Sequence, residues 1–429
     1  MELIFTANSP GEVSTWLAPT LRAVKERAPG AVTTVFLVPC AFATGAEADV
    51  VRAMPEADRA FGPGDYWRVA LGLRRFAWAG GRRPSRAALL YLGGDLVHAA
   101  ALARRLRVPA LAYLERGSRW SRRFAEVLVP DERARRSVLR RGEADQRIAV
   151  VGDLMVDAVR GGAGRRRLAA EWGLDPEKPI VALFPGSRPY EIRLTIRFFL
   201  RAMELLRADH PDAQCVISLS AYGTPDLLRG SDEDALEGTS VTVEAAGGRW
   251  RVTTQRGLTA VAVQGRPYDV MGAADMALTV PGSNTAEMAA AGLPMVVVLP
   301  MNLVEKIPLP GAAQYAERLP LVGKRLKRNL VYKRAAAMPF VAWPNRKANE
   351  AVVPEVRGVL RPEDVALEAV QLLGDAKRRA AMSRRLRDVM GPGGAAGRVA
   401  ERLLAAAEAA GGAKSGVPKA GADGAGDGP

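Results

Sequence analysis

A short turn with the sequence Pro-Gly-Ser-Arg has the residue types that a phosphate group needs, and it directly follows the apolar run 180–184. Gly186 and Ser187 offer backbone N–H groups and a hydroxyl, and Arg188 offers a planar guanidinium that pairs with phosphate oxygens in a fork. The alternative is a capped helix start with a surface arginine. A strand that leads into this turn is more specific than a lone glycine turn, so the sequence favours a phosphate site.

A second turn, residues 280–285, again separates a predicted strand from a predicted helix. Ser283, Asn284 and Thr285 supply hydroxyl and amide groups, and the free backbone N–H groups of a helix start suit a phosphate. Glu287 follows in the first helical turn, where its carboxylate could accept hydrogen bonds from ribose hydroxyls. The alternative is a capping motif that places Glu287 near the positive end of the helix.

Two further turns lie in the N-terminal part of the chain. Asp95 follows a predicted strand and a glycine pair, and at the carboxyl end of a strand it is placed for general base work. His98 lies three residues on and could share a helix face with Asp95. In the turn after the first strand, Gly11 permits close approach of the backbone to an anion. The alternatives are plain helix caps at Asp95 and at the first turn, and a structural role for His98.

The elements that must position these turns are short apolar runs that alternate with helical patterns. This alternation predicts parallel sheets, so the predicted fold class is α/β with two Rossmann-like, doubly wound domains. The predicted strands cover residues 1–6, 32–38, 87–92, 109–113, 127–129, 148–151, 180–184, 215–219, 276–280 and 295–299. The predicted helices cover residues 14–27, 96–106, 195–208, 285–291, 362–374 and 376–390.

A glycine-rich break near residues 160–179 divides the chain into two α/β halves. Ligands bind outside the carboxyl ends of strands in such sheets, so we expect a cleft between the halves. Alternation around glycine pairs predicts a small antiparallel meander. The predicted boundaries are 1–165 for the N-terminal domain, 175–375 for the C-terminal domain, 239–264 for the meander, 376–410 for C-terminal helices that could cross back to the first domain, and 411–429 for a disordered tail.

The composition excludes several classes of protein. The 429 residues are 48% hydrophobic and 25% charged, as in soluble globular proteins, and no run of about 18 apolar residues predicts a transmembrane helix. Two cysteines and two histidines are too few for a disulfide framework or a Cys/His metal site, so no metal is expected. The P-loop, dinucleotide and nucleophile-elbow motifs are missing from the sequence. The first residues lack a signal-peptide pattern, so we expect a cytoplasmic protein.

The charge balance indicates an anionic partner. With 61 Lys and Arg residues against 46 Asp and Glu residues, the formal net charge is +15. The segment from Arg318 to Arg334 holds seven basic residues, no acidic one, and interleaved Leu, Val and Tyr. It is either a solvated helix face or an interfacial patch on an anionic membrane surface. A nucleic acid would fit the charge, but no recognised nucleic-acid module is present, and none is expected as a partner.

The motifs together resemble those of the lipid-A-disaccharide synthase family, which are glycosyltransferases of the GT-B architecture. Gly11-Glu-Val-Ser resembles the start of the family's Gly-Glu-x-Ser-Gly-Asp turn, and residues 183–191 are similar to its Leu-Pro-Gly-Ser-Arg-x-x-Glu segment. Residues 274–287 resemble its Ala-x-x-Ser-Gly-Thr-x-x-Leu-Glu segment. Pro294-Met-Val-Val and Val353-Pro-Glu resemble later motifs, and the order and spacing agree over roughly residues 1–400.

The resemblance implies that the C-terminal half binds a UDP-sugar of the N-acetylglucosamine type as co-substrate, with no further cofactor. Arg188 would contact the diphosphate and assist catalysis, and Asp95 would be the general base. The other implied donor contacts are Gly186, Ser187, Glu191, Ser283, Asn284, Thr285 and Glu287. The implied acceptor contacts in the N-terminal half are Gly11, Glu12, Ser14 and His98.

The chain departs from the family pattern at several places. Thr15 and Trp16 replace the Gly-Asp that follows Gly-Glu-x-Ser, Asn284 is inserted in the Ser-Gly-Thr turn, and Arg357 stands where the family usually has Gln. The meander also resembles an insertion. These changes are close to the implied donor and acceptor contacts, so a divergent relative with a different sugar acceptor is one reading.

The functional prediction is therefore an inverting glycosyltransferase that acts at the inner face of the cytoplasmic membrane on a lipid-linked or sugar-phosphate acceptor. One alternative is a UDP-N-acetylglucosamine 2-epimerase-like enzyme, which shares the architecture. The other is a non-catalytic protein that binds a nucleotide sugar or a nucleic acid. The sequence leaves the acceptor, the sugar and an oligomeric state open.

Overall fold

The computed structural model of the chain describes residues 1–39, 47–159, 164–221, 223–230, 238–303 and 338–412. The chain divides into two units. The first runs from Met1 to Ala158 and also includes the C-terminal segment from Gly393, and the second runs from Val159 to Pro392. The basic segment from Arg318 to Arg334 and residues 413–429 of the predicted tail lie outside the described residues.

A seven-stranded parallel sheet forms the centre of the first unit. Its strands are β1 (Glu2–Ala7), β2 (Val32–Leu37), β3 (Arg59–Phe61), β4 (Ala87–Tyr91), β5 (Ala110–Tyr113), β6 (Glu126–Val129) and β7 (Ile148–Val150). Their order is β3-β2-β1-β4-β5-β6-β7. The chain therefore moves outward from β1 in both directions, which creates a topological switch point between β1 and β4.

An eight-stranded sheet forms the second unit. Its strands are β8 (Ile180–Phe184), β9 (Gln214–Leu219), β10 (Val241–Ala246), β11 (Arg249–Thr254), β12 (Thr259–Gln264), β13 (Met276–Thr279), β14 (Met295–Pro300) and β15 (Glu355–Gly358). The order is β10-β11-β12-β9-β8-β13-β14-β15, so the switch point lies between β8 and β13. The predicted meander is present as β10, β11 and β12, which pair antiparallel with one another and join the sheet through β12 and β9.

Helices cover both faces of these sheets. In the first unit they are α1 (Ala18–Arg27), α2 (Glu47–Arg52), α3 (Pro63–Ala70), α4 (Leu96–Leu106), α5 (Glu132–Leu139) and α6 (Leu154–Ala158). In the second unit they are α7 (Arg165–Trp172), α8 (Pro189–Asp209), α9 (Pro267–Ala273), α10 (Asn284–Ala291), α11 (Trp343–Ala348), α12 (Pro362–Gly374) and α13 (Ala376–Met390). The last helix, α14 (Ala395–Gly412), returns to the first unit.

The core of the first unit follows from the alternation along β1. Leu3 and Phe5 are fully buried on one face, in a cluster that includes Leu403 of α14, whereas Ile4 is buried on the other face with Leu102 of α4. Both faces are therefore covered, as the continuous apolar strand sequences require. Of the predicted C-terminal helices, only α14 packs in this unit. Helix α13 stays in the second unit, where the Ser383 hydroxyl donates to the Gly292 carbonyl at 2.6 Å.

Several predicted boundaries differ from the structure for local reasons. The predicted helix 14–27 begins as a π-helical turn, Val13–Leu17, in which the Thr15 hydroxyl donates to the Gly11 carbonyl at 2.6 Å and competes with regular helix bonds. The predicted helix 195–208 begins already at Pro189, since proline suits the first helical position. The predicted disordered tail is wrong for Gly411 and Gly412, which end α14.

Candidate functional site

The turns that follow β1 and β4 meet at the switch point of the first unit. These strands pair in parallel, so their carboxyl ends lie side by side. The Glu12 carboxylate lies so close to Gly93 that a Cβ at position 93 would overlap it. A side chain at position 93 would have to displace the Glu12 carboxylate, and the two turns form one compact group of side chains and backbone.

Glu12 closes the turn after β1. One oxygen, Oε2, accepts hydrogen bonds from the backbone N–H groups of Asn8 at 3.2 Å and Ser9 at 3.3 Å. Burial raises the pKa of Glu12, although these N–H groups and that of Gly94 act in the opposite direction. The carboxylate therefore already occupies donors that a bound anion would otherwise use.

Two residues of this group were missed in the sequence. The side-chain oxygen of Asn8 is buried and has no hydrogen-bond partner among the described residues. The Tyr91 hydroxyl donates to the Gly94 carbonyl at 2.6 Å, and burial, with the nearby carboxylates of Glu12 and Asp95, raises the pKa of Tyr91 well above its usual range. Asn8 follows β1 and Tyr91 ends β4, so both lie at the carboxyl ends of parallel strands. That position is the signal that could have identified them.

Asp95 is exposed and caps α4. Its Oδ1 accepts a hydrogen bond from the Val97 N–H at 3.1 Å, so one of its two oxygens serves as the helix cap that the sequence offered as the alternative. Its Oδ2 makes no hydrogen bond to the part of the chain that the structure describes. The side chain can therefore cap the helix and still present an oxygen at the carboxyl edge of the sheet.

The other implied acceptor residues, His98, Gly11 and Ser14, differ in how free they are to contact a ligand. The half-buried His98 ring is tied to α3, because its Nδ1 lies 2.8 Å from the Tyr66 hydroxyl and its ring packs edge-on against Tyr66 and Trp67. Space beside Gly11 is open, since an added Cβ would meet nothing within 4 Å. The Ser14 hydroxyl donates to the Gly11 carbonyl at 3.2 Å within the helical turn.

In the second unit, the turn after β8 is closed by Glu191. Gly186 has a φ of +121°, and a Cβ there would overlap the Glu191 side chain. Glu191 Oε2 accepts from the N–H groups of Ser187 at 3.0 Å and Arg188 at 3.2 Å. The Ser187 N–H, which the sequence offered to a phosphate, is therefore already held by a carboxylate of the chain, and the Arg188 N–H is held in the same way.

Arg188 itself remains at the surface of this turn. Its guanidinium is exposed and donates to the Tyr190 hydroxyl at 3.1 Å and to Glu191 Oε1 at 3.2 Å through the same nitrogen. The remaining guanidinium N–H groups make no hydrogen bond to the described residues. They and the exposed Ser187 hydroxyl are the donors that this turn offers to an anion.

The turn after β13 lies beside the turn after β8, because β8 and β13 pair in parallel. Ser283 is exposed at the start of α10. The Asn284 amide donates to the Thr279 hydroxyl at 2.6 Å, and its side-chain oxygen is buried without a hydrogen-bond partner among the described residues. Thr285 is fully buried, donates to the Gly282 carbonyl at 2.8 Å and accepts from the Trp343 N–H at 3.1 Å. The Thr285 hydroxyl has only one proton to donate, and the Gly282 carbonyl accepts it, so none is left for a phosphate.

Glu287 is the acid of this turn, and its pKa is strongly shifted. It lies in the first turn of α10, only 9% of its surface is exposed, and burial raises its pKa to about 7. No hydrogen bond or ion pair joins its carboxyl to another described residue. A buried carboxyl without a partner is expensive, so an incoming hydroxyl could satisfy it.

Neither a metal-binding cluster nor a membrane-spanning helix occurs in the described ranges. No group of three or more His, Cys, Asp or Glu residues there could hold a metal ion. Within the same ranges, no helix combines the length and the apolar character that crossing a membrane requires.

Comparisons with known proteins agree with the sequence motifs. Residues 144–237 match the family model described as lipid-A-disaccharide synthetase. The chain is 33% identical over 236 residues to the lipid-A-disaccharide synthase of Anaeromyxobacter dehalogenans, which covers 54% of this chain and 50% of the relative. It is 30% identical over 262 residues to that of Geobacter sulfurreducens, at 60% and 56% coverage. The chain thus spans about half the length of the curated relatives it matches, and the predicted family resemblance is confirmed.

Solved structures share the fold at low sequence identity. The UDP-GlcNAc 2-epimerase from Neisseria meningitidis bound to UDP-GlcNAc superposes with a TM-score of 0.54 at 12% identity, over 94% of this chain and 100% of that one. The UDP-GlcNAc 2-epimerase from Methanocaldococcus jannaschii gives 0.54 at 11% identity and the same coverage. These matches confirm the predicted fold class, two Rossmann-like α/β units of the GT-B type.

Proposed function

We propose that this relative of the lipid-A-disaccharide synthases is an inverting glycosyltransferase that transfers an N-acetylglucosamine-type sugar from a UDP-sugar to a lipid-linked or sugar-phosphate acceptor. One observation carries the proposal. In each unit, the family-like motifs follow the two strands that flank the switch point, β1 and β4 in the first unit and β8 and β13 in the second. That is where doubly wound sheets bind their ligands.

The second unit would hold the donor. Arg188 and Ser283 would contact the diphosphate with the N-terminus of α10, whose backbone dipoles favour an anion. The buried side-chain oxygen of Asn284, which has no partner in the part of the chain that the structure describes, would accept a hydrogen bond from a uridine hydroxyl, and so would the carboxyl of Glu287. Gly186, Ser187, Glu191 and Thr285 would shape the two turns.

The first unit would hold the acceptor and the base. Asp95 would take the proton from an acceptor hydroxyl, whose oxygen then attacks the anomeric carbon from the face opposite to UDP. The bond between that carbon and the UDP oxygen breaks, and the configuration inverts. Arg188 and the α10 N–H groups would stabilise the charge on the departing diphosphate, without a metal step. Glu12, with Asn8 and Tyr91, would fix the shape of the acceptor turn.

An exposed apolar surface supports action at a membrane. Trp67, Leu71 and Leu73 are 43%, 65% and 77% exposed on α3 and the turn after it. The exposed Arg68 lies between them in the sequence, and the exposed Arg74 follows them. Large apolar residues exposed near one another mark interaction sites, and neighbouring arginines suit anionic lipid. The proposed membrane role of the segment from Arg318 to Arg334 rests on its sequence alone.

The test is a measurement of UDP release from UDP-N-acetylglucosamine with a lipid extract as the source of acceptor. We expect Asp95→Asn and Arg188→Ala to abolish release. Asp131→Asn alters a helix cap of the same unit, and Arg193→Ala removes an exposed arginine of α8, so both controls should retain it. Release of UDP that needs no acceptor, or epimerised product, would instead indicate the epimerase alternative. Binding of UDP that ignores Asp95 and yields no product would indicate a non-catalytic binder.

A further inference from the structure

A groove in the first unit lies at the amino ends of β5 and β6, at the opposite edge of the sheet from the switch-point turns. Its volume is about 770 Å³, within the range of small-molecule sites. One wall is a face of α4, where Val97, Ala100 and Arg104 recur at helical spacing. The other wall is the segment 120–125, which leads into β6.

The charged residues that line this groove are all basic. Its lining includes Arg104, Arg107, Arg122, Arg123 and Arg147 and no acidic residue. The first four are exposed, and their guanidinium groups form no hydrogen bond or ion pair with the described residues. Unpaired cations that share a concave surface repel one another and raise the local concentration of anions.

Arg147 has a different role, because it holds the segment 120–125 in place. It pairs with the buried carboxylate of Glu143 at 2.9 Å and donates to the Phe124 carbonyl. A short 3-10 turn, Ser121–Arg123, is further held by the Ser121 hydroxyl, which donates to the Ser118 carbonyl at 2.6 Å. The wall that carries Arg122 and Arg123 is thus ordered before any ligand arrives, which lowers the entropic cost of binding.

The lining of the groove also has apolar side chains that are not covered by the protein. They are the half-buried Ala100, Pro109 and Trp120 and the exposed Ala101 and Ala125. A ligand that only carried phosphate would leave these apolar side chains in contact with water, and one that was only apolar would leave four guanidinium groups unpaired. The lining therefore fits a ligand that has both an anionic group and an apolar part.

We propose that the groove between α4 and the segment 120–125 binds the phosphate group of an anionic lipid, with Arg104, Arg107, Arg122 and Arg123 as its donors. Planar guanidinium groups suit phosphate oxygens, and the exposed apolar side chains of the lining suit the first part of the lipid chain. These apolar side chains favour a lipid over the charged backbone of a nucleic acid. A free phosphate ester offers the same anionic chemistry without the apolar part.

The experiment is co-sedimentation of the full chain with phosphatidylcholine vesicles that contain phosphatidylglycerol, against pure phosphatidylcholine vesicles. Arg104→Gln with Arg123→Gln should weaken binding to the anionic vesicles roughly thirtyfold, from the usual worth of an arginine at such a surface. The matched control is Arg133→Gln with Arg136→Gln, which removes two exposed charges of α5 outside the groove. It should leave binding within about twofold, since those charges lie outside the site.

Another surface of the protein could also bind the vesicles, so a measurement at the groove itself is needed. Hydrogen exchange of residues 118–125 should slow on addition of the anionic vesicles in the wild type and the control, but not in the groove variant. If a soluble probe, glycerol phosphate, gives the same arginine-dependent protection and vesicles do not, the lipid proposal is overturned and the groove takes a soluble phosphate ester instead. Equal behaviour of both double variants, or arginine-dependent binding of single-stranded RNA alone, would overturn the proposal. Transfer activity uses the opposite edge of the sheet, so its loss or survival is a separate result.

Discussion

Substitution of Glu287 by glutamine tests whether burial of its carboxyl governs both the stability and the donor chemistry of the second unit. The carboxyl is buried at the start of α10 and lacks a hydrogen-bond partner among the described residues. Its pKa is raised from an ordinary value of 4.5 to about 7, with burial as the cause. Glutamine keeps the size of the side chain and removes the ionisation.

The sign of the effect follows from this rise. Because the folded state binds the proton more tightly than the unfolded state, the protonated carboxyl stabilises the fold fully below about pH 4.5. That stability is lost as the pH rises to about 7, where the folded form also ionises. At about 1.4 kcal/mol for each pKa unit, the total loss is roughly 3 kcal/mol. About 2 kcal/mol of it falls between about pH 5.5 and about pH 8.5.

The assay is urea unfolding of the wild type and Glu287→Gln at these two pH values. The variant should gain about 2 kcal/mol relative to the wild type on going from the lower to the higher pH. Any fixed cost of burying the amide cancels in that comparison. Glu363→Gln, on an exposed position of α12, is the control and should show no such change. The reasoning is refuted if the free-energy difference between wild type and Glu287→Gln is the same at both pH values.

Three further outcomes follow. If Glu287 accepts hydrogen bonds from ribose, the affinity for UDP-N-acetylglucosamine, whose esterified diphosphate does not titrate near neutral pH, should rise with pH through about 7 in the wild type and stay flat in Glu287→Gln, as measured by calorimetry. Gly93→Ala would force a methyl group into the Glu12 carboxylate, so we expect a lower melting temperature and loss of acceptor-dependent UDP release, whereas Gly30→Ala, whose Cβ would meet nothing within 4 Å, should change neither. Asp157→Ala removes the acceptor of the Gly394 N–H at 2.6 Å, and we expect a cost of about 1–2 kcal/mol in unfolding and faster hydrogen exchange of α14.

The sequence predicted the parallel strands well, because buried strands in doubly wound sheets are continuous apolar runs bounded by glycine turns. It did not identify β3, which is only three residues long, and its residues are half-buried without a clear alternation. It also did not settle which C-terminal helix crosses back. That outcome depends on contacts such as those of Asp157, which accepts the N–H groups of Gly394 and Ala396 at 2.6 and 2.7 Å. A contact between residues so distant in the chain leaves no local pattern.

The positions of the four turns at strand ends were predicted from the sequence, and their hydrogen bonding was predicted only in part. The turns after β1, β4, β8 and β13 were correctly placed at strand ends, since glycine with small polar residues is typical of such turns. The burial of Thr285 and the partner of His98 could not be read, because both depend on segments distant in sequence. Thr285 accepts from the Trp343 N–H, and His98 meets Tyr66 of α3.

Glu12 and Glu191 show why residue type alone misleads at such turns. Each follows the first strand of its sheet, and each turns its carboxylate back onto two consecutive backbone N–H groups of its own turn. A phosphate needs the same donors, so sequence analysis assigns these turns to a ligand. An internal carboxylate is present at very high effective concentration, and a ligand must displace it or use other donors. The exposed guanidinium of Arg188 and the open space beside Gly11 are such alternatives. A bound anion should therefore depend more on side-chain donors than on the glycine turns that first indicated it.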